Sequence, residues 1–346
     1  MKAYRLYAHD LVENRPLQPG DLIIPEPGPG QVRIKIKKCG VCHTDLHTVE
    51  GDIHPPALPI TLGHQIVGVV DKLGDPANHT QPLYLAKRRL EKPYVGQRVG
   101  VPWLYSVCGK CEYCRIGQEN LCWHANFTGF HKDGGYADYI LADARYTLPI
   151  PNNLSDEQAA PLLCAGIVGY RSLKKAEVHR GEHVGLFGFG ASAHLCIQVL
   201  HAWDCKVSVF TRALAHQDHA RNLGAAWAGV AGQSPGKWLD RAIIFAPAGA
   251  LTVRALELVR PGGTVAINAI HMSDIPSFPY KKIYSERTLR SVANATYQDG
   301  VDFLELAAQI NIQSTVANYP LSAANQALQD MKHSRINGEA VLDIND

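Results

Sequence analysis

The stretch HVGLFGFGASAHLCIQVL, from His183 to Leu200, limits the fold more than any other part of the 346-residue chain. An apolar strand runs into glycines and then into a helix whose Ala193, Cys196, Ile197 and Leu200 fall at i, i+3, i+4 and i+7, one face for packing on a sheet. Gly185, Gly188 and Gly190 let the backbone approach a pyrophosphate, which would sit at the helix N-terminus. A lone pair of glycines means little. Here it follows a strand, opens a helix, and leads to a second strand, KVSVF, at the spacing such a unit needs. Further strands are predicted at AIIFAP (Ala242 to Pro247), TVAINA (Thr264 to Ala269) and TLRSVAN (Thr288 to Asn294), with LTVRALELV as a helix between the first two. Alternating strands and helices predict a parallel, doubly wound sheet.

The end of the second strand bears on the nucleotide. A sheet built for NAD offers Asp or Glu there to the ribose hydroxyls. This chain offers Thr211 and Arg212. Without a carboxylate nothing repels a 2′-phosphate, and a guanidinium can bind one bidentately, so NADP is favoured over NAD.

A second constraint is VCGKCEYCRIGQENLC, which places four of the nine cysteines at 108, 111, 114 and 122. The start, MKAYRLYAHDLVENRPL, lacks the apolar core of a signal peptide, and no run of about 18 apolar residues exists. The expectation is a cytoplasmic chain with no membrane partner. In that compartment thiols stay reduced, which favours metal ligation over disulfides. Four thiolates around a tetrahedral centre make a closed, structural zinc site. An iron-sulfur cluster is the chemical rival, but ferredoxin spacings differ. With a formal charge of +2 and no basic stripe, a nucleic-acid partner is not expected.

Upstream stand CGVCHTDLH (Cys39 to His47) and TLGHQIVGVV (Thr61 to Val70), and downstream PLLCAGIVGY (Pro161 to Tyr170). Together with the four-cysteine run, these resemble the zinc-dependent alcohol dehydrogenases of the medium-chain dehydrogenase/reductase superfamily, over nearly the whole chain and most closely the bacterial type. The resemblance implies a β-rich GroES-like catalytic domain over 1–155 and 295–346 and a Rossmann dinucleotide-binding domain over 156–294. It implies two zinc ions per chain. The catalytic one would be held by Cys42, His64 and Cys164, with the fourth place left for water or substrate oxygen. Asp45 would orient His64 from behind. Thr44 would take the alcohol proton and pass it through the cofactor ribose to His47, a residue type whose ordinary pKa suits proton exit. His43 and Ala191 would join the glycines, Thr211 and Arg212 in holding the cofactor. Trp103 would narrow the substrate channel. Cys39, Cys196 and Cys205 are expected to be core.

Three positions depart from the family: Gln65 where its motif reads GHE, Gln97 where it reads GDRV, and Tyr297 where an Arg commonly meets the pyrophosphate. The segment from Gly74 to Gly100, with its Lys87, Arg88, Arg89 run, is longer than the family's connection and is expected to be an exposed insertion. The function implied is interconversion of a small primary or simple secondary alcohol with its aldehyde or ketone, by a homotetramer or homodimer. A polyol or aromatic-aldehyde reductase of the same superfamily is the near alternative, and a non-catalytic zinc-stabilised binding protein the distant one.

Overall fold

The structure, a computed structural model, describes residues 1–75 and 92–344. Lys87, Arg88 and Arg89 lie outside the described residues. The chain divides into two compact units, one of 1–164, 294–308 and 316–346, the other of 165–293 and 309–315. Among the described residues no helix is long and apolar enough to cross a membrane.

The first unit is built on the strand Gln31–Val41, in which Val32, Ile34 and Ile36 face inward while Lys35 points to solvent, the alternation a half-buried strand requires. It pairs antiparallel with Gln65–Leu73 on one side and with the C-terminal strand Glu339–Asp343 on the other. Outward-facing Arg33 forms an ion pair with Asp71 at 2.6 Å across the first of these pairings. The inward faces merge with Leu6, Val49, Tyr136, Ile140 and Leu328 into one core. At current magnitudes of about 1.5 to 3 kcal/mol per fully buried aliphatic side chain, this core rather than surface ion pairs holds the unit.

The second unit is a six-stranded sheet in the spatial order Trp227–Gly229, Lys206–Phe210, His183–Phe187, Leu239–Ile244, Val259–Ile267, Thr288–Ser291, with every pairing parallel. Counted along the chain this is 3-2-1-4-5-6, the doubly wound order of dinucleotide-binding folds. The five strands expected from sequence are present; the short strand Trp227–Gly229 has no periodicity to announce it. Helix Ala250–Leu258 lies where LTVRALELV predicts it.

Candidate active site

Strand register assembles the first cluster. Gly40 pairs with Gln65 on the neighbouring antiparallel strand, so Cys42, just past one strand's end, meets His64, just before the other's start. Cys164 follows the short turn Pro161–Leu163. The ligand atoms of Cys42, His64 and Cys164 all lie within 4.8 Å of one another. His64 is buried and neither ring nitrogen makes a well-aligned hydrogen bond, so with Nδ1 facing Asp45 the other nitrogen is left for a metal bond.

Asp45 ties this corner together. It sits in the first turn of helix His43–Glu50, and its Oδ2 accepts from the Cys42 N–H at 3.0 Å, closing a capping interaction that fixes the helix start. The same oxygen accepts from the Tyr136 hydroxyl at 3.2 Å, while Oδ1 accepts from the Gly63 N–H at 3.1 Å and stands 3.4 Å from His64 Nδ1. Burial opposes a charge on His64, yet the negative charges of Asp45 and Cys42 outweigh it and bring the imidazole up to about 10. The Cys42 thiol is pulled well below its ordinary value by the Cys164 thiol, with His64 adding to the effect, whereas that same contact pushes Cys164 up. Positive charge is therefore favoured at the centre of the cluster, and a sulfur–nitrogen–sulfur donor set suits zinc.

The second cluster is Cys108, Cys111, Cys114 and Cys122, again with all sulfurs within 4.8 Å. Cys111 and Cys114 are 3.5 Å apart, as are Cys108 and Cys122, too far for disulfides. Four sulfurs at the usual Zn–S length would be about 3.8 Å apart. Backbone N–H groups of Cys111 and His124 point at Cys108 and Cys122 sulfurs at 3.4 Å each. Such donors, with those of Lys110 and Cys111 in the lead, overcome desolvation and bring the Cys108 thiol down to about 6.

Around the first cluster, Trp103 stands edge-on to the His64 ring at 4.7 Å and stacks on Phe127 at 4.9 Å, with Phe130 behind at 5.9 Å. Its indole N–H donates to Asn294 Oδ1 at 3.0 Å. Thr44 is buried with its hydroxyl oxygen 3.7 Å from Cys42 Sγ. His47, one turn along the helix, is held through Nδ1 by Asp52 at 2.7 Å. His43 is exposed.

In the second unit the glycine turn forms as the motif predicts. Gly188 has φ of +96°, and a Cβ there would stand 2.9 Å from the Ala246 N, so the chain passes closely between the ends of two adjacent strands where the sheet reverses direction of growth. Gly190 precedes helix Ala191–Ala202 with no side-chain cap and open space around its α-carbon, leaving that N-terminus free for phosphate. Gly185 lies inside strand His183–Phe187, where Leu239 occupies the space of its missing Cβ, so its part is in packing the sheet. Thr211 follows the second strand and donates its N–H to the Gly229 carbonyl. Arg212 is exposed and forms no ion pair with the described residues.

Residues 28–152 match the family model described as the alcohol dehydrogenase GroES-like domain. A protein of Mycobacterium tuberculosis named "Probable alcohol dehydrogenase AdhA" is 40% identical over 99% of this chain and 97% of its own. The chain belongs to the zinc-type medium-chain alcohol dehydrogenases. An alcohol dehydrogenase of Geobacillus stearothermophilus is 33% identical over 95% of this chain and 97% of its own. The solved alcohol dehydrogenase of Aeropyrum pernix superposes with a TM-score of 0.85 over 99% of this chain and 100% of its own, at 27% identity. This dehydrogenase is thus an oxidoreductase with the GroES-like and Rossmann folds.

Sequence reasoning missed several partners in this dehydrogenase. Tyr136 and Asp52 hold Asp45 and His47. Phe127 and Phe130 extend the aromatic wall. Tyr297 is buried, its N–H donating to Glu119 at 2.8 Å and its hydroxyl to the Thr147 carbonyl at 3.2 Å, which ties the helix Tyr297–Gln309 to the four-cysteine lobe. Gln97 accepts from the Tyr94 N–H at 3.2 Å and so closes a turn. Cys39 and Cys196 are buried thiols pushed up by desolvation, as core cysteines are, and Cys205 is buried too. The one signal for Glu339, buried and hydrogen-bonded by Gln65, was the missing carboxylate at Gln65 itself.

Proposed function

We propose that Cys42, His64 and Cys164 hold a catalytic zinc, that Cys108, Cys111, Cys114 and Cys122 hold a structural one, and that the enzyme interconverts small primary or simple secondary alcohols with their carbonyl compounds using NADP. The observation that carries the reading is the contrast between the two clusters: three converging ligands in one, four in the other. When bound, zinc in the three-ligand set would supply Lewis-acid polarisation of the substrate oxygen, and the nicotinamide would supply the hydride donor or acceptor.

The chain's own residues do the rest. Trp103, Phe127 and Phe130 shield the cluster from water and leave room for a slender substrate. Thr44 Oγ1, beside Cys42, accepts the alcohol proton in oxidation and donates it in reduction. Thr44 and His47 are three residues apart and share a helix face, and the proton leaves toward solvent through the His47 imidazole, which Asp52 holds at 2.7 Å. Gly188, Gly190 and Ala191 receive the pyrophosphate, His43 and Thr211 contact the nucleotide, and Arg212 pairs with the 2′-phosphate. We expect a cytoplasmic homotetramer or homodimer, which mass in solution checks.

Nicotinamide absorbance tests this with short aliphatic and aromatic aldehydes and either cofactor. Turnover with NADPH and little with NADH is expected. Arg212→Ala should then raise the KM for NADPH roughly 10- to 100-fold, the worth of one charge-assisted hydrogen-bonded pair, while leaving that for NADH within about twofold. Equal KM changes for both cofactors would remove Arg212 from the 2′-phosphate.

A further inference from the structure

Three adjacent strands bring two uncommon residues to the metal corner. Gln65 pairs with Gly40 on the central strand, and on its other side Ala340 pairs with Val41, which sets Glu339 level with Cys42. Gly40 is what lets them meet. A Cβ there would stand 2.8 Å from Gln65 Nε2 and 3.0 Å from its Cβ and Cδ, so the glutamine side chain lies across the central strand through the space glycine leaves. Its amide donates to Glu339 Oε1. The other carboxyl oxygen, Oε2, is buried with no hydrogen-bond partner, and the residue is 3% exposed.

Such a carboxylate is costly to bury unless a positive charge faces it. The titratable groups that act on Glu339 are Cys42, His64, Asp45, Cys164 and Cys39, all at the metal corner, and burial together with the negative charge of Cys42 pushes its carboxyl well above the usual range. Lys and Arg are absent from that set. Glu339 also lies outside the group of ligand atoms that converge within 4.8 Å.

We propose that Glu339 supplies the carboxylate that the family places at Gln65: a counter-charge beside, and outside, the ligand set of a divalent cation held by Cys42, His64 and Cys164. This rests on the catalytic-zinc reading above. Gln65 acts as the arm that positions it, one amide hydrogen bond fixing Oε1 and leaving Oε2 toward the cation. The carboxylate has moved from one strand to another while its charge stays at the same corner.

The test is zinc release from the purified holoenzyme into excess chelator, followed with a chromogenic zinc reporter, for the wild type, E339Q and the exchange variant Q65E/E339Q. E339Q should release the three-ligand zinc roughly 10- to 100-fold faster, the usual size of the effect when a group supporting a ligand set is lost. The phase from the four-cysteine cluster should not change. Q65E/E339Q, with the carboxylate returned to the other strand, should recover to within a few-fold of wild type. Unchanged release from E339Q overturns the proposal, because a glutamine reproduces a neutral, purely structural glutamic acid. Should E339Q fail to fold, the exchange variant decides: retention supports the proposal and rapid loss overturns it. A wild type that carries zinc only at the four cysteines sinks the catalytic-zinc reading and this proposal with it, whereas zinc at both clusters with indifferent variants sinks the proposal alone.

Discussion

Cys164→Ser should leave zinc at the four-cysteine cluster only and cut nicotinamide-linked turnover by about a thousandfold or more. Metal polarisation of a carbonyl or alkoxide oxygen is worth several kcal/mol of barrier, and each 1.4 kcal/mol is about tenfold in rate. The residual donors would be one thiolate and one imidazole, too few to retain the ion in competition with buffer and chelator. Serine keeps the size of the side chain, and position 164 lies at the end of a short turn rather than in a strand, so the fold should survive. Metal content by mass spectrometry and turnover are to be measured on the same sample. Full activity in a variant lacking this zinc would remove Cys42, His64 and Cys164 from the chemistry.

The second large effect is expected at Asp45. Its carboxylate receives the Cys42 and Gly63 N–H groups and the Tyr136 hydroxyl, all buried or half-buried. Asp45→Ala strands these donors, and buried donors without partners cost about 1 to 3 kcal/mol each. Because the site can relax, a total of roughly 3 to 5 kcal/mol is expected, which for a unit of this size lowers the melting temperature by about 10 °C. The metal-free proteins are the ones to compare, so that lost zinc does not enter the difference. Asp45→Asn should be milder in melting, since one acceptor oxygen remains, yet should still weaken zinc binding about 10- to 100-fold because the charge behind His64 is gone. Melting of Asp45→Ala within about 2 °C of wild type would show that the corner does not depend on this carboxylate.

What could be read without coordinates follows from how far each feature reaches along the chain. The strand–glycine–helix unit at 183–200 is local, and its strands emerged with boundaries shifted by a few residues. The cysteine run is local too, and its four sulfurs converge. Cys42, His64 and Cys164 were legible only through resemblance, because nothing in their separate contexts records the Gly40–Gln65 register that brings the first two together. Glu339 and Gln65 are 274 positions apart, and although the missing carboxylate at Gln65 marks that position as unusual, nothing in either neighbourhood names the other as its partner. Asp45 was expected behind His64; its hold on Cys42, Gly63 and Tyr136 appears only once the helix cap has formed. Tyr297, named in the sequence only as a departure from the family, fills a buried place against Tyr146 and Glu119. Lone residues acquire their roles from tertiary neighbours, whereas motifs carry theirs in spacing.

The most direct measurement is the zinc content of the purified enzyme alongside its turnover with NADPH and a short aldehyde, before and after mild chelation and again after zinc is returned. The account predicts zinc at both clusters, loss of turnover as the three-ligand zinc leaves, and recovery when it is restored. Turnover that persists with zinc at the four cysteines alone would contradict it.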